Sequence, residues 1–214
     1  MMGLILGNNN SAGQVNHGDI AALNGAAALT ICCWRFTDIV ASPGDTEKGA
    51  TAFLWMGNRE LHASELPTWN RYTDVYQIPT LVWTHHACVF DGSRAAADRI
   101  KFYAEAVEQT TTGSTAGTTL LDTTGSALII APANVAGDWA HLRCWTQALT
   151  PADIALEMYS YWARQRSGLV LDCPYDDGVL ARDYSGNGNH GTTNGAIQRA
   201  GPPISYGGKV LVTG

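Results

Sequence analysis

Short apolar runs follow one another along the chain, and turn-forming residues break them. LTICCWRF (29–36) and ATAFLWM (50–56) predict two strands. After the second, Gly57-Asn58 leads into RELHAS, which is a hairpin signal. TLVWTHHACVF (80–90) predicts a long strand ending at Asp91-Gly92. DRIKFYAEAV (98–107) alternates with a period of two, with Ile100, Phe102 and Ala104 on one face and Lys101, Tyr103 and Glu105 on the other. TTTGSTAGTTLLDTTGS reads as a polar loop around a short strand. SALIIA (126–131), WAHLRCWTQAL (139–149), GLVLDCPYD (168–176) and KVLVTG (209–214) complete the set.

One segment has helical spacing instead. Thr150 suits an N-cap, Pro151 the first helical position, and Asp153 stands three residues after the cap. Ile154, Met158 and Tyr161 or Trp162 then form an apolar stripe. Arg164 and Arg166 fall in the last turn, where cations suit the macrodipole, and Gly168 is a natural stop. The expected helix spans about 151–166.

Roughly ten strands and one late helix predict an all-β chain: a two-sheet antiparallel β-sandwich of the jelly-roll kind. Neither a linker nor an internal repeat divides the sequence. Residues 1–214 are therefore expected to form one domain, a size that all-β sandwiches reach.

Composition narrows the function. Charged residues make up 15% and the net charge is −6, so no Lys/Arg cluster is available to neutralise a row of phosphates, and nucleic acid is not an expected partner. No apolar run approaches the ~18 residues of a membrane span, and MMGLILGNNNS lacks the basic start of a signal peptide. The five cysteines, Cys32, Cys33, Cys88, Cys144 and Cys173, all lie in apolar runs without CxxC or metal spacing. They read as reduced, buried residues of a protein assembled in a reducing compartment.

Four segments carry a resemblance: LTICCWRF, VWTHHACVFDGSRAAADRIKFYAEAV, WAHLRCWTQALTPADIALEMY and GLVLDCPYDDGVLARDYSGNGNHGTTNGA. Together they resemble the laminin-G-like, concanavalin A-like jelly-roll domains. In that family the D.SGNGNHG segment usually precedes the strand that LTICCWRF resembles; here it follows the helix. The order thus looks circularly permuted, with 168–214 supplying strands usually placed first and KVLVTG pairing near MGLILG. A second, truncated domain is the other reading, but a segment this short cannot hold a sandwich by itself.

The loop DYSGNGNHG (183–191) has two readings. Asp183 and Ser185 can accept backbone N–H groups while the glycines turn the chain, which makes a self-bonded loop. Alternatively Asp183, Asn187 and Asn189, with carbonyls and help from Asp176 and Asp177, hold calcium. Calcium takes six to eight oxygens, and the loop offers one formal charge.

Catalytic sets are not evident. Some relatives in the resembled family are glycosidases, which need two acids across a cleft. Glu60, Glu65, Glu105, Glu108 and Glu157 show no such pairing pattern. His85 and His86 are adjacent on a strand, so their rings face opposite ways, against a shared metal. The expected protein is not an enzyme. Aromatics are the best binding lead: WMGNRELHASELPTWNRYTDVY (55–76) holds Trp55, Trp69 and Tyr72 with Asn58 and Arg59 among them. Stacking faces with amides and guanidiniums suit sugars or a protein partner. Against this, Trp55 and Tyr76 also read as strand core.

The leading expectation is a non-catalytic virion surface protein of a phage or virus, a capsid decoration or tail component made in the host cytoplasm. Its partners would be a capsid or other virion protein, its own copies, and glycans. The alternative is a secreted, glycan-binding lectin-like module; a glycoside hydrolase ranks last.

Overall fold

The computed structural model describes residues 2–6, 14–37, 46–49, 51–57, 60–65, 69–114, 117–130, 137–176, 181–195 and 197–204. Expectations for Asn58, Arg59, Asp177 and KVLVTG lie outside these residues.

Two antiparallel eight-stranded sheets face each other. The first runs Val107–Gln109, Ile100–Ala104, Trp83–Asp91, Ala28–Phe36, Gly137–Trp145, Met2–Leu6 and Ile197–Ala200. Leu169–Cys173 also joins Gly137–Trp145. That strand is shared end to end: Gly137–Trp139 pair with Leu6–Leu4, while Leu142–Trp145 pair with Cys173–Leu169. The second sheet runs Thr111–Gly113, Trp69–Thr73, Glu60–Glu65, Thr51–Gly57, Thr46–Lys48, Leu128–Ile130, Gln14–Asn16 and Thr192–Asn194. Strands after residue 168 thus pair into both sheets with strands from the start of the chain.

The expected hairpin forms, with Gly57 opposite Glu60. Two strand ends differ from expectation. Leu81 adopts φ 62°, a left-handed conformation, so the long strand starts at Trp83 and not at Thr80. The alternating run 98–107 breaks at Glu105-Ala106, both left-handed, and folds back as a hairpin with Val107 opposite Ala104. Two consecutive positive φ values define a type I′ turn, which matches the twist of the strands it joins. Alternation carried across this turn because neither residue is a glycine.

A bulge sets the phase of the central strand. Ala140 pairs with Trp34 but Arg143 pairs with Cys32, so His141 and Leu142 oppose Cys33 alone, and His141 takes φ 52°. The extra residue shifts the alternation by one. Trp139, Leu142 and Cys144 therefore join the core between the sheets with Ile31, Phe90 and Phe102, while Trp145 packs on the opposite face.

That opposite face is covered by the helix and the segment after it, through Cys32, Val89, Tyr103, Trp145, Leu149, Ile154 and Ala163. The helix spans Pro151–Met158 with the expected capping box: Asp153 N–H donates to Thr150 Oγ1 at 3.2 Å, and Thr150 N–H donates to Asp153 Oδ2 at 3.1 Å. It ends eight residues earlier than its spacing predicts. Arg143 is the reason: its guanidinium donates to the carbonyls of Glu157, Ser160 and Tyr161. Those carbonyls are drawn to a buried cation and not into further helical turns.

Candidate functional site

The sequence-expected aromatic group divides in the structure. Trp55, His62, Tyr72 and Thr112 stand in one register row across four strands. Tyr72 is half-buried and stacks on His62, with ring centroids 5.1 Å apart and planes 22° off parallel. Trp69, however, is in a strand and only 3% exposed. It belongs to the core, and its Nε1–H donates to Glu65 Oε2 at 3.1 Å. A buried indole offers no stacking face, so Trp69 is not part of a binding platform.

A different aromatic group reaches the surface. Trp162 is 41% exposed and meets Tyr161 and Tyr184 edge-on, at centroid distances of 4.6 and 5.1 Å. The guanidinium of Arg182 lies 5.4 Å above the Tyr184 ring. Arg166 donates to the carbonyls of Tyr184 and Ser185 at 3.4 and 3.0 Å. Two cations therefore brace one tyrosine beside an open tryptophan.

The scaffold under this surface is built from buried charges. The carboxylate of Asp172 accepts from Arg143 Nε at 2.8 Å and from Ala163 N–H at 3.2 Å. The backbone of Asp172 takes the other half of the site: its carbonyl accepts Tyr184 N–H, and its N–H donates to Asp183 Oδ1. One residue thus holds both the Trp162 segment and the Tyr184 loop. Glu157 adds to the first, since its carboxylate accepts Arg164 N–H and Gln165 N–H at 2.8 and 2.6 Å. Burial raises the Glu157 carboxyl above the usual range, and the neighbouring Arg143 works against that rise. Trp145 Nε1–H closes the segment by donating to Gln165 O at 2.7 Å. Trp162 sits in the middle of a stretch whose backbone is tied on both sides, which turns its ring outward.

The loop 183–191 is self-bonded. Asp183 is 5% exposed, and its two oxygens accept Asp172 N–H, Ser185 N–H, Asn189 N–H and Ser185 Oγ–H. Asn187 and Asn189 turn their amide N–H groups to the carbonyls of Leu169 and Val170. Every lone-pair position of the one carboxylate is spent on this chain's own donors. Asp183, Asn187 and Asn189, as placed, do not fit calcium, which needs those oxygens turned to one centre. Among the described residues no three His, Cys, Asp or Glu side chains gather as a metal-binding group.

The loop is welded to the second sheet. Gly191 N–H donates to Ala181 O at 2.7 Å. A Cβ on Gly191 would stand 2.5 Å from Val15 Cγ1 and 2.9 Å from His17 Cε1, so only glycine fits. His17 bonds Asn189 O and the Tyr175 hydroxyl, and burial lowers it to about 4.

The glutamates do not meet as catalytic pairs among the contacts described: Glu60 bonds His62, Glu65 bonds Trp69, Glu105 accepts His85 N–H, Glu108 pairs Lys101 and Glu157 pairs Arg143. His85 and His86 diverge as expected, His85 packing edge-on to Trp34 and His86 bonding the Tyr76 hydroxyl. A cleft of about 430 Å³ lies beside the helix start, where Arg94 pairs with Asp91 and Lys101 with Glu108.

The sequence reading placed Trp162 on the helix stripe and passed over Tyr184. The signal available was the composition of YWARQR: two adjacent aromatics and two arginines in a segment that was assigned to bury one face.

Solved structures share this architecture. A protein from Bacteroides ovatus proposed to bind carbohydrate aligns with a TM-score of 0.69 and 16% identity, over 95% of this chain. The chain spans 61% of that protein's length. The heptameric SAP-like pentraxin from Limulus polyphemus aligns at 0.62 with 14% identity, over 92% of this chain and 94% of its own. Among curated proteins, none matches the sequence. The sandwich is a lectin-like fold, and the model of the concanavalin A-like lectin/glucanases superfamily matches residues 8–155, so the chain belongs to that superfamily.

Proposed function

We propose that this chain is a non-catalytic binding protein that recognises carbohydrate through the surface of Trp162, Tyr184 and Arg182. The observation that carries the reading is the open indole of Trp162 braced between two tyrosines. An exposed ring held by packing offers a flat apolar face for the C–H side of a sugar, and the neighbouring guanidinium donates to its hydroxyls. The carbohydrate assignment of the Bacteroides ovatus relative supports it. A glycan array tests it: the wild type retains one or more glycans and Trp162→Ala retains none. An array on which the wild type binds nothing overturns the proposal.

The setting in which it acts is a virion surface, with a capsid or other virion protein and its own copies as partners. Two observations favour this. All five cysteines are buried and outside any disulfide, which suits assembly in a reducing cytoplasm. Leu156 and Tyr159 are more than half exposed on the outside of the helix end, an apolar face suited to a protein contact. Mass spectrometry of purified particles from the source detects the chain if this is right; particles that lack it refute the virion setting and leave the glycan reading standing.

A further inference from the structure

We infer that the carbohydrate bound here carries a carboxylate, which seats beside Trp162 in the hollow formed by Arg182 and His190. This rests on the reading above that Trp162 and Tyr184 bind sugar.

The hollow measures about 330 Å³, and Ala181, Arg182, His190 and Gly191 line it. Its polar side chains are those of Arg182 and His190. Arg182 can only donate. His190 Nδ1 accepts the Asp183 N–H at 3.0 Å, so the ring proton lies on Nε2, which is left to donate outward. The nearby acids are already engaged: Asp183 accepts four hydrogen bonds inside its loop, Asp172 pairs with Arg143, and Asp176 accepts the Tyr161 hydroxyl. Among the described residues, then, the hollow presents a guanidinium and an N–H without an acid on its lining. This is a local inversion in a chain whose net charge is −6.

Geometry joins the hollow to the stacking surface. Arg182 lines the hollow and also lies over Tyr184, whose ring meets Trp162. A pyranose on Trp162 therefore has a guanidinium at one side. The site is also held in shape. Ala181 bridges to Gly191, and Gly191 packs against Val15 of the second sheet and His17 just after that strand. A preorganised donor pair discriminates charge more sharply than flexible surface arginines do.

The test is calorimetric titration with oligosaccharides of galacturonate, glucuronate and N-acetylneuraminate, each beside its counterpart with the carboxyl reduced to an alcohol. The expected result is that the wild type prefers at least one acidic form by about tenfold or more. Arg182→Gln weakens the acidic form more than the reduced form and so loses the preference. Trp162→Ala loses both. Equal affinity for acidic and reduced forms overturns the carboxylate inference and leaves the carbohydrate reading intact. A preference that survives in Arg182→Gln overturns the assignment to this hollow. If the wild type binds none of these sugars, the inference fails, and the glycan array decides the broader reading separately.

Discussion

Arg143 and Asp172 meet at 2.8 Å with both side chains withdrawn from solvent, and Glu157 closes on the same guanidinium at 3.0 Å. Counting three backbone carbonyls, Arg143 makes five hydrogen bonds: one from Nε to Asp172, two from Nη1 to Glu157, and two from Nη2 to the carbonyls of Ser160 and Tyr161. Removing one partner of such a buried set strands the remaining charges. Arg143→Ala is expected to cost about 3–5 kcal/mol, read from urea denaturation. Arg143→Lys should recover little, because an ammonium has three donors and no planar fork.

Four histidines give the stability a defined pH dependence. Burial lowers His17 to about 4 and His85 to about 3, and holds His86 and His141 well below the ordinary value. Arg143 pushes His85 and His141 further down. Each folded value lies below the unfolded one, near 6.5, so the unfolded chain binds more protons in between. Their contribution is complete above about pH 6.5 and is lost as pH falls towards the folded values, at about 1.4 kcal/mol per pH unit per histidine. Urea midpoints measured from pH 7 down to pH 4 should fall steadily, and a flat profile contradicts the burial.

Two tryptophans separate folding from binding. Trp69→Ala empties a core position and should destabilise by about 3–5 kcal/mol. Trp162→Ala should leave the denaturation midpoint nearly unchanged while removing glycan retention. The reverse pattern returns the site to the second sheet.

Gly92 allows two backbone segments to touch. A Cβ there would stand 1.8 Å from Thr118 O and 3.0 Å from Ala27 O. Neither neighbour is a side chain that can swing aside. Gly92→Ala should cost about 1–3 kcal/mol, which lowers the thermal midpoint by about 2–4 °C per kcal/mol in a chain of this size.

Calcium should do nothing at the loop of residues 183–191. Because Asp183 already accepts four hydrogen bonds, neither chelator nor added calcium is expected to move the thermal midpoint. Asp183→Ala should lower it, since three backbone N–H groups lose their acceptor. A calcium-dependent rise in the midpoint overturns this account.

What the sequence determined by itself was whatever is set within a few residues. Short apolar runs placed the central strands, and period-two alternation placed Ile100–Ala104, because side chains on a strand repeat every two residues. The Thr150–Asp153 capping box and the hydrogen bonds of Asp183 with Ser185 were legible for the same reason: both partners lie within one turn of chain. Tertiary structure decided the rest. The helix stops at Met158 because Arg143, on the strand before it, captures the carbonyls beyond it. The bulge at His141 decides which residues of its strand face the core, and a one-residue shift leaves the local pattern looking the same. Trp69 is buried and Trp162 open because exposure depends on which face meets the other sheet, and on a segment pinned by Asp172 and Glu157 from elsewhere in the chain. The binding surface proposed here joins residues from two segments that no local spacing connects, so it came into view only when the buried charges beneath it did.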